Sequence, residues 1–201
     1  MGEGVVGAEP LAYVFWHWRQ MEFDAAVYED RQARFHRALR EEPPDGFRGS
    51  ASARVTGLPW AAGGGEAYED WYVLDGFAAL GALNSGAVSG SRRGPHDAVA
   101  AMVAGGSGGV YALRAGETLG SPAHAYWFSK PDGVAYGELF SEVLSLASAS
   151  PGGALWMRQM VLGPGWEFCL HTAVAAELPP AIGARHVALS LVWPEATAVA
   201  R

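Results

Sequence analysis

The 201-residue sequence is half hydrophobic and only 17% charged, so it can bury a sizeable core and is not a disordered chain. Its 14 basic and 21 acidic residues give a formal net charge of −7, which argues against a nucleic-acid-binding protein because such proteins carry a basic face. The lone cysteine, Cys169, excludes an intrachain disulfide, and no apolar run predicts a membrane span. Together with the absence of a basic N-terminal signal segment, these features predict a cytoplasmic protein.

The first half of the sequence predicts the element order β-α-β-β-α-β. Asp24 is placed to cap a long helix that ends at a Pro-Pro-Asp-Gly stop. Pro95 is predicted as the first residue of a later helix, and the glycines of segment 105–109 as the break after it. Strands are expected at 12–18, 47–56, 68–74 and 110–114, and helical stretches at 24–41, 77–83 and 95–104.

The second half repeats this order with a weaker second helix. Strands are expected at 124–129, 154–162, 166–172 and 186–193, a helix capped by Asp132 follows the first of them, and a short helix is expected at 178–183. The sequence therefore predicts eight main strands in two groups of four. We expect residues 1–117 and 118–201 to form two units packed as one globular body, with a loose arm over residues 1–9 and a tail after Pro194.

Both halves open on an aromatic strand, Tyr13-Val14-Phe15-Trp16 in the first and Tyr126-Trp127-Phe128 in the second. The element order over residues 12–193 resembles the ferredoxin-like, dimeric α+β barrel superfamily in its tandem single-chain form. The resemblance implies the α+β fold class, with two antiparallel sheets that face each other in a barrel. This superfamily includes haem-binding enzymes, cofactor-free oxygenases, isomerases and proteins without known activity, so the fold implies no single function. Haem is an open alternative, although the resemblance assigns none of the six histidines as its ligand.

The first candidate site is the loop from Ser89 to Asp97, which enters the helix predicted at Pro95. Free backbone N–H groups at a helix start favour an anion, and Arg92 and Arg93 could bind a carboxylate or phosphate. His96 lies in the first turn, where it could act as a catalytic acid or base. The alternative is a solvated loop in which Asp97 caps or pairs locally.

A second candidate is the set of Glu167, Cys169 and His171, which alternate along a predicted strand and so share one face. They could form a nucleophile and base or bind a metal, but their spacing is poor for direct contact. A buried free cysteine usually acts as a small hydrophobic residue, so we predict a structural Cys169 and no metal site.

The third candidate is the set of ring side chains on the two opening strands. Their shared faces would line an apolar space between the two sheets, as a small-molecule site requires, unless they are plain core. The residues are Tyr13, Phe15, His17, Tyr126 and Phe128.

The sequence therefore predicts a small-molecule-binding protein that, if it is an enzyme, acts on an anionic, partly apolar metabolite in a pocket of the barrel. Arg92 and Arg93 would bind the anion, His96 would be catalytic, and the aromatic strands would form the pocket. Two alternatives stay open, a haem-dependent enzyme with a histidine ligand and a non-catalytic assembly protein that uses its sheet edges. The expected partners are a small molecule and neither nucleic acid nor membrane, and homo-oligomer formation is left open.

Overall fold

The computed structural model describes residues 9–194, which form nine strands and four α-helices. The strands are β1 (Leu11–Arg19), β2 (Phe47–Thr56), β3 (Glu66–Leu74), β4 (Val103–Gly116), β5 (His124–Phe128), β6 (Ala154–Arg158), β7 (Phe168–Thr172), β8 (Arg185–Ala188) and β9 (Ser190–Trp193). The helices are α1 (Ala25–Glu41), α2 (Phe77–Gly86), α3 (Arg93–Ala100) and α4 (Tyr136–Ala149). Within this part of the chain, no helix has both the length and the apolar character that a membrane span needs. The predicted arm and tail lie almost entirely outside the described residues.

All described strands belong to one antiparallel sheet in the order β8-β5-β7-β6-β4-β1-β3-β2-β9. The first four strands stand in the spatial order 4-1-3-2, and the next four stand in the same order, with β4 and β6 joining the two groups. The predicted α+β fold class, with ferredoxin-like units and an antiparallel barrel, is confirmed. The unit boundary after residue 117 stays a prediction.

Strands β8 and β9, the last two described strands, nearly close the sheet into a barrel. The single strand predicted at 186–193 is wrong, because the segment divides at Leu189 into β8 and β9. His124 of β5 lies opposite Ala188 of β8, whereas Arg54 of β2 lies opposite Ser190 of β9. The two short strands therefore pair with opposite ends of the sheet, which gives nine strands instead of eight.

The barrel interior is filled by aromatic side chains rather than open. The ring centroids of Trp16 and Trp127 lie 5.6 Å apart, and Trp71 lies 5.4 Å from Trp156. Trp60 and Tyr111 complete this cluster at similar distances from Trp127. Large rings pack here with smaller apolar side chains in one continuous cluster of buried residues, so the interior is a hydrophobic core.

Helix α1 covers the outer face of the first group of strands. The Asp24 carboxylate accepts hydrogen bonds from the backbone N–H groups of Ala26 and Val27, at 2.8 and 3.3 Å, so the predicted cap is confirmed. Tyr28, Phe35 and Leu39 form the predicted apolar stripe and are buried against the sheet. Gln32 and His36 share that buried face, which places two polar side chains between the helix and the sheet.

The predicted break at Gly105–Gly109 is wrong, since β4 runs through these glycines and pairs with β1. The reason is the bulk of the neighbouring strand, whose rings lie across the glycine backbone. A Cβ atom at Gly106 would lie 2.6 Å from the Phe15 ring, and one at Gly108 would lie 2.7 Å from the Tyr13 ring. The glycines are therefore needed for close approach between strands and do not form a turn.

Three other local predictions also need correction. Helix α3 begins at Arg93 rather than Pro95, directly after a 3₁₀ turn at Gly90–Arg92. Helix α4 begins at Tyr136, and Ala135 rather than Asp132 occupies its N-cap position, without a side-chain hydrogen bond. The predicted helix at 178–183 is a single 3₁₀ turn, Pro180–Ile182. Among the described residues, α4 is therefore the only α-helix that packs on the second group of strands.

Candidate functional site

A cavity of about 800 Å³ lies between the outer face of the first group of strands and helices α1, α2 and α3. Most of its lining is aromatic or aliphatic, and its volume is in the range of small-molecule sites. Phe15 of β1, Phe35 of α1, Leu80 of α2 and Val99 of α3 represent the four walls. Among the residues that the structure describes, no lysine or arginine lines it.

The cavity exists because α2 leaves space above the sheet instead of packing tightly on it. Only Ala79 and Leu83 of α2 are buried, whereas Phe77 and Val88 line the cavity with 51% and 45% of their surface exposed. Gly81 also lines it, and a Cβ atom added there would meet no atom within 4 Å. Helix α2 therefore borders an open mouth with apolar residues and one position that lacks a side chain.

A buried carboxylate, Asp70 of β3, forms the polar end of the cavity. Its Oδ2 atom lies 3.1 Å from Nε2 of His17 and 3.4 Å from Nε2 of His36. The hydroxyl of Tyr72 donates a hydrogen bond of 2.9 Å to the same oxygen. One carboxylate oxygen is thus surrounded by two imidazoles and a phenol, all nearly inaccessible to solvent.

This arrangement fixes the charge of the carboxyl group. Burial alone would raise the pKa of Asp70, but the charges and close contacts of the His17 and His36 imidazoles outweigh burial and hold it well below its ordinary value of 3.8. Burial, and then the Asp70 charge, raise the pKa of Tyr72 and of Tyr13. The cavity therefore presents a carboxylate beside neutral phenols.

The network extends from the carboxylate into helix α1 and strand β2. Nδ1 of His17 lies 2.6 Å from the Tyr28 hydroxyl, and its Nε2 lies 3.0 Å from the Gln32 amide nitrogen. Nδ1 of His36 lies 2.7 Å from the Ser50 hydroxyl. Among the described residues, Asp70 Oδ1 and Gln32 Oε1 are buried acceptors without a hydrogen-bond partner. Unpaired buried acceptors are unfavourable, and both side chains line the cavity.

A second titratable side chain, His96 of α3, lies at the wall of the same cavity. Its Nδ1 atom lies 3.0 Å from Oδ1 of Asp97, and its ring contacts Phe35 edge-on with centroids 5.4 Å apart. The hydrogen bond from His96, more than its charge, lowers the pKa of Asp97. In the described part of the chain no group bonds Nε2 of His96, so the protein engages this imidazole through Nδ1 alone.

The two predicted anion-binding arginines lie outside the cavity lining. Arg92 donates hydrogen bonds to the backbone carbonyls of Gly86 and Glu42, and so ties the end of α1 to the end of α2. Arg93 is exposed and forms an ion pair of 3.6 Å with Asp97. The loop therefore brings His96 to the cavity but directs both guanidinium groups elsewhere. Anion binding by these arginines stays a prediction.

The structure divides the third predicted set. Tyr13, Phe15 and His17 all line the cavity, but on the outer face of the sheet rather than between two facing sheets. Tyr126 and Phe128 also face outward, in the separate core cluster beneath α4. The expectation of a shared space is wrong because the opposite faces of these strands, with Trp16 and Trp127, already fill the barrel interior.

The second predicted set does not converge. Glu167 accepts a hydrogen bond from the Tyr136 hydroxyl at the start of α4. Cys169 and His171 face the other way, into the barrel, where Cys169 is fully buried and burial raises the pKa of its thiol. A buried, protonated thiol is a poor nucleophile, which agrees with the structural role predicted for Cys169.

The sequence reasoning missed Asp70 and its neighbour Glu69. Glu69 points into the barrel, accepts a hydrogen bond of 3.1 Å from Trp71 Nε1, and lies 3.9 Å from Nε2 of His171. A signal was present, because two adjacent carboxylates occur in the middle of an aromatic strand, Tyr68-Glu69-Asp70-Trp71-Tyr72. Charged residues at consecutive positions of a strand buried on both faces are rare unless they are paired.

Haem fits these residues incompletely. His96 could offer its free nitrogen, but no lysine or arginine of the described residues lines the cavity to pair with the propionates, and a carboxylate lies at its polar end. Both nitrogens of the other lining histidine, His17, are already engaged. The described residues also contain no group of three or more His, Cys, Asp and Glu side chains that could hold a metal ion.

Comparison with known proteins gives matches at the level of structure. No protein-family model matches the sequence, and no curated protein matches it either. A protein from Fusobacterium nucleatum, described as a candidate monooxygenase, superposes with a TM-score of 0.62 at 7% identity over 92% of this chain and 93% of the other. An anthrone oxidase-like protein superposes with a TM-score of 0.52 at 8% identity over 91% of each chain.

The likeness is one of fold. Both matches span nearly the whole of this chain, so the similarity covers the complete barrel rather than one group of strands. At identities of 7% and 8% it does not transfer a substrate or a reaction.

Proposed function

We propose that this protein is an enzyme that binds a largely apolar, ring-containing small molecule in the cavity under α1, α2 and α3 and removes a proton from it. The observation that carries the proposal is the combination of an aromatic cavity of about 800 Å³ with a buried carboxylate at one end and a free imidazole nitrogen at its wall. The ring faces of Tyr13, Phe15 and Phe35 favour a flat, aromatic ligand.

The polar end favours a ligand with a hydrogen-bond donor. Asp70 is held ionised, and no described residue donates a hydrogen bond to Asp70 Oδ1 or Gln32 Oε1. A hydroxyl group of the ligand could satisfy one of these acceptors, whereas a carboxylate or phosphate would be repelled by Asp70. We therefore assign a phenolic or enolic substrate in place of the anionic metabolite expected from the sequence.

His96 is the proposed acid–base residue. His96 lines the cavity, no described residue bonds its Nε2 atom, and the Asp97 carboxylate orients the ring through Nδ1. His17 is less suited to direct proton transfer because both of its nitrogens are bonded. We assign His17 and His36 as positioning residues that keep Asp70 ionised.

The proposed reaction class is oxidation of the deprotonated ring compound by dioxygen. The carbanion left when a ring CH₂ group loses a proton is more electron-rich than its protonated form. The ring CH₂ group and O₂ together yield a carbonyl group and one water molecule. That balance needs no outside reductant. The names of the two structures that share the fold, a candidate monooxygenase and an anthrone oxidase-like protein, support this choice.

Binding is tested with 2-naphthol and with 2-methoxynaphthalene, which keeps the rings but cannot donate a hydrogen bond. Loss of a hydrogen bond to a charged acceptor should weaken binding by roughly ten- to hundredfold. Gly81→Phe should place a ring at the cavity wall and weaken binding of both compounds with little loss of stability, because no described atom lies within 4 Å of the added Cβ atom. Gly137→Phe on α4 is the matched control, since that position is equally open and lies outside the cavity.

Catalysis is tested by oxygen consumption with hydroxylated two- and three-ring compounds that contain an oxidisable ring CH₂ group. His96→Ala should lower the rate by about 10²- to 10⁴-fold while the affinity for 2-naphthol changes little, as expected for a lost acid–base group. Equal binding of 2-naphthol by the parent and Gly81→Phe would overturn the proposal. A Soret band in the purified protein would instead favour the haem-dependent alternative.

A further inference from the structure

Two histidines face each other on neighbouring strands of the second group, remote from the cavity. His124 of β5 and His186 of β8 have ring centroids 5.1 Å apart, and Nδ1 of His124 lies 3.0 Å from Nε2 of His186. The two strands are paired antiparallel, with Tyr126 directly opposite His186. Both imidazoles therefore project from a rigid sheet, and their nearest nitrogens converge.

The position of His186 is fixed by a ring stack. Its imidazole lies on the ring of Tyr126, with centroids 4.8 Å apart and planes tilted by 20°. The Tyr126 hydroxyl in turn accepts a hydrogen bond of 2.8 Å from the backbone N–H of Ala176. His186 is exposed and His124 is half-buried, so a solute can reach the pair. A preorganised pair loses little conformational freedom when it binds a ligand.

The separation of the two nitrogens agrees with chelation of one metal ion. Metal–nitrogen bonds to histidine are about 2.0–2.1 Å long, so two nitrogens 3.0 Å apart subtend an angle of roughly 90–97° at a shared metal. That angle is the one between adjacent ligands in square-planar or octahedral coordination. A tetrahedral zinc site needs a separation of about 3.3 Å, given the same bond lengths.

We propose that His124 and His186 form a two-nitrogen binding site for Cu²⁺ or Ni²⁺, independent of the function proposed for the cavity. The imidazole that donates the hydrogen bond changes tautomer, so that its proton moves to its other ring nitrogen and both facing nitrogens can bind the metal. Water occupies the remaining coordination positions. Imidazole suits both ions, and their ordinary order of affinity places Cu²⁺ first and Zn²⁺ below it. The net charge of −7 favours a cation at the surface.

The test is titration of the full chain with copper(II) chloride in a non-chelating buffer, followed by electron paramagnetic resonance. The parent should bind one Cu²⁺ ion with two imidazole nitrogens in its spectrum. His124→Ala and His186→Ala should each weaken binding by at least tenfold and leave one imidazole nitrogen. His96→Ala, which removes a histidine on another face, should bind copper as the parent does.

Competition with nickel(II) and zinc(II) chloride tests the coordination geometry. The protein should retain copper and nickel in preference to zinc. Replacing His124 or His186 by Ala should again weaken the binding of both ions. Copper binding of equal strength in His186→Ala, or an equal loss in His96→Ala, would overturn the proposal. Circular dichroism of each variant shows whether the fold is kept. Tyr126→Leu gives a second test and should also weaken copper binding, because it removes the ring under His186 together with the hydroxyl that anchors that ring to Ala176.

Discussion

Replacing Asp70 by Asn tests the charge balance of the buried network. The amide keeps the size of the side chain and can still accept the hydrogen bond from Tyr72, but it removes the negative charge between His17 and His36. Loss of a hydrogen bond to a charged group lowers stability by about 1.5–3 kcal/mol. We therefore expect Asp70→Asn to lower the free energy of unfolding at pH 5 by about 2–3 kcal/mol.

The pH dependence of this difference gives the sharper check. The pKa of Asp70 is lower in the folded than in the unfolded chain, so its charge contributes stability that is present above the unfolded value of 3.8 and is lost as the pH falls toward the folded value. At pH 3 the unfolded carboxyl is mostly protonated while the folded one is not. The gap between the parent and Asp70→Asn should therefore shrink by about 1 kcal/mol between pH 5 and pH 3.

Urea denaturation at the two pH values measures the gap. Asp30→Asn is the matched control, because Asp30 is an exposed partner of Arg34 on α1 and its loss should change stability by less than about 0.5 kcal/mol. A gap that is equal at pH 5 and pH 3 would refute the reasoning, since it would mean that Asp70 is not held ionised by its two histidines.

Three further substitutions test the packing by urea denaturation or thiol labelling. Trp16→Ala should lower the free energy of unfolding by about 3–5 kcal/mol, because this fully buried ring lies at the centre of the barrel. Gly108→Ala should lower it by about 1–3 kcal/mol, since the new methyl group would lie 2.7 Å from the Tyr13 ring. Cys169→Ala should leave any activity within a few-fold, and the native thiol should resist a labelling reagent until urea unfolds the chain.

The hydrophobic periodicity, together with the capping and turn residues, was sufficient to predict most of the fold. Helix α1 and its Asp24 cap, and strand β2 at 47–56, occur where periodicity and capping residues place them. The glycines at 105–109 were wrongly predicted to break the chain between elements. Their role depends on Tyr13 and Phe15, which lie on a strand about ninety residues earlier. The division at Leu189 could not be predicted either, since it follows from closure of the whole sheet.

The candidate site was predicted in part. Tyr13, Phe15, His17 and His96 line the cavity, and the sequence singled out all four. It placed the three strand residues in a space between sheets, because strand alternation gives two faces but does not say which one the helices cover. The central group, Asp70, was missed because its partners come from β1 and α1 and are brought together only by the tertiary fold.

The most direct test of the central claim is a crystal structure of the protein soaked with 2-naphthol. We predict ring density between Phe15 and Phe35 in the cavity under the helices, with the hydroxyl oxygen directed to the Asp70 end. Ligand density inside the barrel among the tryptophans, or a cavity that stays closed to the compound at saturating concentration, would contradict it.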